Sequence, residues 1–293
     1  MANTILTPDI IAREALMVLR NNAVMAKLVH RDYSNEFVSG VGDTITVRKP
    51  ATFEAKEFKG TIEVQDATES GISVKMDKHL DVSFAVTSKE MTMDIENFSQ
   101  QLLVPAMQAF NDKVDSYLLG LYKDITATVG DGATLPTAID PIVDAGALLN
   151  QAKAPTADRR LVLDPLTEAA FIKLGTFHEA DKVGDNGTAL REASLGRKFG
   201  FDTYMDQNVI SDESQVIQNL AFHKNAFALV TRPLALPNGA AKAAIVNYDG
   251  FGLRVVYGYD ITKKTDTISI DMLCGVKTLD KNLAVKLLTK KGA

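Results

Sequence analysis

The sequence holds one cysteine, no tryptophan and four histidines in 293 residues. A lone thiol excludes an internal disulfide framework and any zinc site built on several thiolates, and it fits a reducing compartment. Metal binding would have to rest on scattered His and carboxylates. The lack of Trp, with aromatics at 7%, removes the usual stacking platforms for single-stranded nucleic acid. An excess of basic charge is missing too: 32 Lys and Arg against 37 Asp and Glu leave a formal net charge of -5. That balance argues against a dedicated nucleic-acid binder, while local basic patches stay open. No apolar run approaches the roughly 18 residues of a membrane span. The first twenty residues carry no basic leader followed by an apolar run, so neither a secretory signal nor a transit peptide is expected. What is present, 46% hydrophobic residues, suffices for one large or two ordinary domains with a substantial core.

Thr7, Pro8 and Asp9 read as the start of a helix, with a capping hydroxyl, a proline at the first helical position and an acid in the first turn. Ile10, Ile11, Ala15, Leu16 and Leu19 follow as a one-sided apolar stripe, suited either to the chain's own core or to a neighbouring molecule. From Thr44 to Arg48, and again from Leu80 to Val86, polar and apolar residues alternate, as in paired antiparallel strands. Residues 49–79 between them are rich in charge of both signs, with thin alternation at Ile62 and Val64, then Ile72, Val74 and Met76. Such a segment reads as a long protruding hairpin that is solvated alone or lies across another subunit, or as an ordinary edge hairpin.

Leu103, Met107, Phe110, Val114, Tyr117 and Leu121 recur at spacings of four and three and predict one long amphipathic helix from Asp94 to about Ile125. About 28 residues would run about 40 Å. Asp94 or Asn97 can cap it, and Pro105 either kinks it or marks its first full turn. Residues 137–240 alternate helix and strand: Asp140-Pro141 and Asp164-Pro165 open helices around a short strand at Arg160 to Leu163. Residues 181–196 read as an exposed loop, Gly200 to Tyr204 as an edge strand, and Ala221 to Val230 as one apolar strand or short helix. The last fifty residues alternate as strands of an antiparallel sheet. A helix before the α/β part and a sheet after it would pack together, giving an α+β domain with residues 137–240 inserted.

The chemistry-bearing residues do not assemble. No glycine run ends in Lys-Ser or Lys-Thr, and Gly250 and Gly252 lack the third glycine of a dinucleotide loop. His30, His79, His178 and His223 stand singly, without a second ligand at helical spacing, and read as surface or structural histidines. His178 and Glu179 are adjacent, so in a helix they point apart. Cys274 follows Ile268, Ile270 and Met272 on one face of a strand, as a small buried hydrophobe. Asp140 and Asp164 read as helix caps, and Asp112 and Asp115 as a solvated helix face. No catalytic, cofactor-binding or metal-ligating residue is therefore assigned, and no enzyme activity is expected. Lys277, Lys281, Lys286, Lys290 and Lys291 form a modest basic cluster, a solvated surface or a weak, salt-dependent contact to polyanion.

Three stretches carry a resemblance. LGRKFGFDTYMDQNV from Leu195 resembles a G-R-x-x-G-F-D-V-Y segment, with Thr203 in place of the Val. AFHKNAFALVTRPL from Ala221 and the closing strands from Gly252 to Leu287 are similar to segments of the same family, and T-P-x-x-I-A-x-E-A-L at Thr7 also fits. The family is the major capsid (coat) protein of tailed double-stranded DNA bacteriophages, in the subgroup that includes short-tailed-phage coats, with the Hong Kong 97-like fold. The resemblance implies an N-terminal arm at 1–42, an extended E-loop hairpin at 43–88 and a peripheral domain with a spine helix at 89–136. It further implies an axial domain at 137–240 and peripheral-domain closing strands at 241–293. By the same resemblance the chain self-assembles as hexamers and pentamers into an icosahedral phage head in the virion, built in the host cytoplasm around double-stranded DNA. A separate scaffolding protein and a portal protein are the implied partners, with no membrane, no cofactor and noncovalent assembly. An encapsulin-like cellular shell and, further off, a cytosolic α/β enzyme are the alternatives.

Overall fold

The computed structural model describes residues 10, 11, 13–15, 17, 24–33, 43–49, 55, 57, 70–87, 102–174, 196–239, 242–248 and 251–290. Thr7 to Asp9, residues 88–101 with Asp94 and Asn97, the loop near 181–196 up to its last residue, His178, Glu179 and Lys291 lie outside the described residues, as do Ile62 and Val64.

Two sheets form the body. One is antiparallel, ordered β10 (Lys242–Tyr248), β11 (Phe251–Asp260), β12 (Thr265–Thr278), β3 (Lys78–Thr87). On β12, β11 pairs as far as Asp271, and β9 (Phe227–Arg232) pairs from Leu273 onward. Ile268, Ile270, Met272 and Cys274 alternate on one face of β12, all fully buried, because period-two alternation sends every second side chain inward. Leu80, Val82 and Phe84 stand opposite Met272, Ile270 and Ile268 on β3 and extend that face.

Against it lies helix α2 (Val104–Leu119), with Pro105 in its first turn. Met107, Phe110 and Val114 are at most 2% exposed and share one core with Leu253, Val255, Ile268 and Ile270. The helical turns end at Asp124, next to the predicted end at Ile125, while residues 94–101 lie outside the described residues. The α-helical part spans 16 residues, about 24 Å, then tightens into a 3-10 turn at Gly120–Asp124. Of the N-terminal helical residues, Ile11 and Ala15 join this same core, while Ile10 is exposed.

The second sheet is mixed, ordered β4 (Thr128–Val129), β13 (Ala284–Lys290), β8 (Val216–His223), β5 (Arg159–Leu163), β7 (Phe201–Met205), β6 (Arg197–Lys198). Helices α3 (Asp140–Gln151) and α4 (Pro165–Ile172) cover it through Ile142, Ala145, Leu149 and Phe171. Asp164 caps α4, its carboxylate accepting from the Leu166 amide at 2.9 Å. Asp140 does not cap α3: it is already the first helical residue, behind Ile139, which makes no side-chain cap. β7 is not the edge strand, since the two-residue β6 pairs outside it. Inside the sheet, Asn219 is fully buried. Its Oδ1 accepts from the Asp164 amide at 2.8 Å, and its Nδ2 donates to the Leu287 carbonyl at 3.1 Å and the Thr289 hydroxyl at 3.0 Å.

The stretch from Ala221 to Val230 is two strands in different sheets. A 3-10 turn at Lys224–Ala226 carries the chain from β8 to β9, and a second at Lys281–Leu283 carries it back from β12 to β13. The two crossings are bonded together, since the Leu279 and Asp280 amides donate to the Ala226 carbonyl at 2.8 and 3.2 Å. Each turn is capped from its own side chain, the Asn225 amide on His223 Nδ1 at 3.2 Å and the Asn282 amide on Asp280 at 3.1 Å.

A separate hairpin pairs β1 (Thr44–Lys49) with β2 (Ser70–Lys75). The strand at 44–48 therefore does not pair with the one at 80–86, because β3 belongs to the large antiparallel sheet. The reason is the Ile72 and Val74 alternation: they stand opposite Val47 and Ile45, and Ile45, Val47, Val74 and Met76 form a small core with Ala228, Val230 and Leu279. Gly275 on β12 permits this docking, since a Cβ there would lie 2.2 Å from the Lys75 carbonyl oxygen.

Candidate functional site

Among the described residues, the histidines and the cysteine singled out in the sequence stand apart from one another. His30 is half-buried; its amide donates to the Phe227 carbonyl at 3.0 Å, its ring stacks on Tyr33 at 4.5 Å, and burial lowers its pKa despite the nearby Asp32. His223 is buried, caps its turn, and is also pushed down by burial. His79 is exposed, 3.5 Å from Asp271, whose carboxylate is gripped by Arg254, with Nε at 2.9 Å. Cys274 is fully buried, and burial pushes its thiol up to about 12, which removes the thiolate a nucleophile needs. Among the described residues no three His, Cys, Asp or Glu side chains come together as a metal-ligand set.

Asp112 and Asp115 do not share a solvated face. Asp112 is exposed, whereas Asp115 is 3% exposed. It accepts from the backbone amides of Val24, Met25 and Ala26, at the start of the short helix α1 (Met25–Leu28). Burial, then the charge of Asp206, raise its pKa to about 7 against the pull of those amides. At the other end of α1, the Arg160 guanidinium donates to the carbonyls of Leu28 and of Lys27, the latter at 3.2 Å. A carboxyl thus accepts at the amide end and a guanidinium donates at the carbonyl end, so α1 is held by hydrogen bonds at both termini. Sequence reasoning missed this pair because Asp115 and Arg160 stand far along the chain from Val24 to Leu28, and the docking of a distant segment leaves no local periodicity.

The features suited to contact with another molecule are apolar side chains held out on rigid supports. At the β11–β12 turn, Ile261 is 80% exposed and Tyr259 half-exposed. The turn is fixed by Asp260, which accepts from the Thr262 hydroxyl and from the Thr262 and Lys263 amides at 2.9 and 3.2 Å. At the edge of the mixed sheet, Phe199 occupies a left-handed position, φ 51°, between β6 and β7, and is exposed together with Tyr204 and Met205. Lys277 and Lys281 are exposed, and Lys286 and Lys290 are half-exposed on β13. Among the described residues no helix is long and apolar enough to cross a membrane.

This arrangement of a long helix on an antiparallel sheet, with a second mixed sheet and a docked hairpin, is the fold of phage capsid proteins. A chain from Mycobacterium phage Che8 superposes with a TM-score of 0.68 at 18% identity, covering 90% of each chain. The capsid structure of the cyanophage P-SCSP1u matches with 0.61 at 13% identity, over 92% of this chain and 89% of that one. The virus-like particle from Pyrococcus furiosus matches with 0.51 at 12% identity, over 94% and 97%. No protein-family model matches the chain, and no curated protein matches it by sequence.

Proposed function

We propose that the chain is a major capsid protein that assembles with copies of itself into a closed shell. The observation that carries this is the fold, shared end to end with phage capsid structures across about nine-tenths of both chains. On this reading the shell is an icosahedral phage head of hexamers and pentamers around double-stranded DNA, assembled with a scaffolding protein and a portal protein. The β1–β2 hairpin is then the base of an E-loop within 43–88, α2 the spine helix of a peripheral domain, and strands β5, β7 and β8 with helices α3 and α4 the heart of an axial domain within 137–240, onto whose sheet the closing strand β13 also pairs. Residues 1–42 serve as the arm. The exposed Ile261 tip and the Phe199 edge suit repeated contacts of modest size, whose apolar centres exclude water. The chain is a structural protein on this reading, and the dispersal of its titratable groups fits that role. A second reading, an encapsulin-like shell, is favoured by the near-complete mutual coverage with the Pyrococcus virus-like particle.

The test is expression of the chain alone and with scaffolding protein, followed by sedimentation velocity and negative-stain electron microscopy. Closed shells or capsomer rings are expected; one small species under every condition overturns the proposal. Shells that close without scaffolding around a protein cargo would favour the second reading. Deleting Phe53 to Asp77 to disable the hairpin is unsuitable, because it removes β2 and the Val74 and Met76 contacts. Replacing residues 50–69 by a two-residue Asn-Gly turn keeps the Lys49 to Ser70 register. The expected product is a folded chain that no longer closes shells.

A further inference from the structure

Beside α1, helix α2 and the segment after β7 line a cavity of about 420 Å³. Its wall includes Gln108, Asn111, Asp112, Asp115, Asp206 and Gln207. Asn111 is 4% exposed, yet neither its Oδ1 nor its Nδ2 has a hydrogen-bond partner among the described residues. Asp115 Oδ1 and Asp206 Oδ2 are likewise without partners there, in residues only 3% exposed. Buried polar atoms are nearly always paired, so three such groups on one cavity wall mark a missing partner. The charges around them have one sign: Asp206 faces Asp115, Asp112 faces Asp206, and burial raises both buried carboxyls. No Lys, Arg or His is among the described residues lining the cavity.

We propose that this cavity binds a calcium ion, held by the free oxygens of Asp115, Asp206 and Asn111. The donors are all hard oxygens, which excludes the nitrogen and sulfur ligation that zinc prefers. Carboxylates mixed with amide carbonyls, in an irregular set completed by water, suit calcium's flexible coordination better than magnesium's strict octahedron. Because no three carboxylates converge among the described residues, Gln108, Gln207 and water complete the shell, which places the affinity in the weak range, a Kd of about 10⁻⁴–10⁻³ M. The inference concerns the single folded chain and stands apart from whether it forms shells.

The experiment is isothermal titration of the unassembled full chain with calcium chloride at pH 8, beside thermal unfolding with calcium up to about 10 mM. Saturable binding and a rising Tm are expected, with a smaller rise in magnesium. Asp206→Asn keeps the shape and removes one buried charge, so it should melt above the parent without calcium and show no calcium-dependent rise. Terbium, read by its own luminescence and displaced by calcium, gives a second measure independent of Tm. Absence of heat, of a Tm rise and of terbium binding in the parent chain overturns the proposal. An unchanged calcium response in Asp206→Asn also overturns it, since the ion would then sit elsewhere.

Discussion

Asn219 and Asn111 are both buried asparagines, and their surroundings are opposites. Every side-chain polar atom of Asn219 is engaged, tying β8 to β13 and to the start of α4; the side chain of Asn111, on α2, engages none of the described residues. Where the fold supplies every partner, a buried amide is a cross-link that specifies how elements sit. Where it supplies none, the amide marks a place the chain alone does not complete. The mixed sheet is thus self-sufficient around Asn219, and the corner between α2 and Asp206 is not.

The sharpest way to break this contrast is Asn219→Leu. It leaves the Asp164 amide and the Leu287 carbonyl without partners, and should cost about 3 kcal/mol in urea unfolding. A cost no greater than that of Asn111→Leu would show that the two sites do not differ as described. Gly275→Ala comes next: the new Cβ meets the Lys75 carbonyl oxygen at 2.2 Å and Met76 Cα at 3.1 Å, an overpacking worth about 2 kcal/mol. Hydrogen exchange should rise in β1 and β2 first, and uniform loosening would argue against a local docking role.

A smaller effect should follow pH. The folded-state pKa of Asp115 is raised, to about 7, so the folded chain holds this proton more tightly than the unfolded one. The stability it contributes is complete below the ordinary carboxylate range and is lost as pH rises through about 7. In calcium-free buffer, stability should therefore decline between about pH 4 and about pH 7, and Asp115→Asn should flatten that decline. Asn111→Leu should shift stability by less than about 1 kcal/mol, because no bond is lost. Least of all should happen at Cys274: its buried thiol should resist alkylation in the native chain and react only on unfolding. Rapid native labelling would show that the face of β12 opens.

Alternation made most of the antiparallel sheet legible. Ile268, Ile270, Met272 and Cys274 were readable as one face because a strand's side-chain period is local. The stripe from Leu103 to Val114 revealed α2 for the same reason. The partner of β1 was not legible, since Ile72 and Val74 are two apolar residues in a charged segment, and the surface they pack on is made by Ala228 and Val230, far along the chain. The break between β8 and β9 was hidden too: residues 224–226 hold neither Gly nor Pro, and the turn is stabilised by His223 capping an amide. Asp115 was misplaced because its burial comes from a segment docking across it, which no helical spacing records. The likeness to phage coats was legible in short motifs, although overall identity to the matched structures is 18% or less, because the motifs fall on strands and turns whose geometry restricts the residues allowed.

The paired crossings between the sheets have a mechanical meaning. Two covalent strands, running in opposite directions and bonded to each other at Ala226, join the sheets where a single link would leave a hinge. A force tending to rotate one sheet against the other is therefore taken up as tension in one strand and compression in its neighbour, as in a strap doubled over a joint. Cutting the chain at either crossing would leave a single link there, so the two sheets should turn against each other more freely once one is severed.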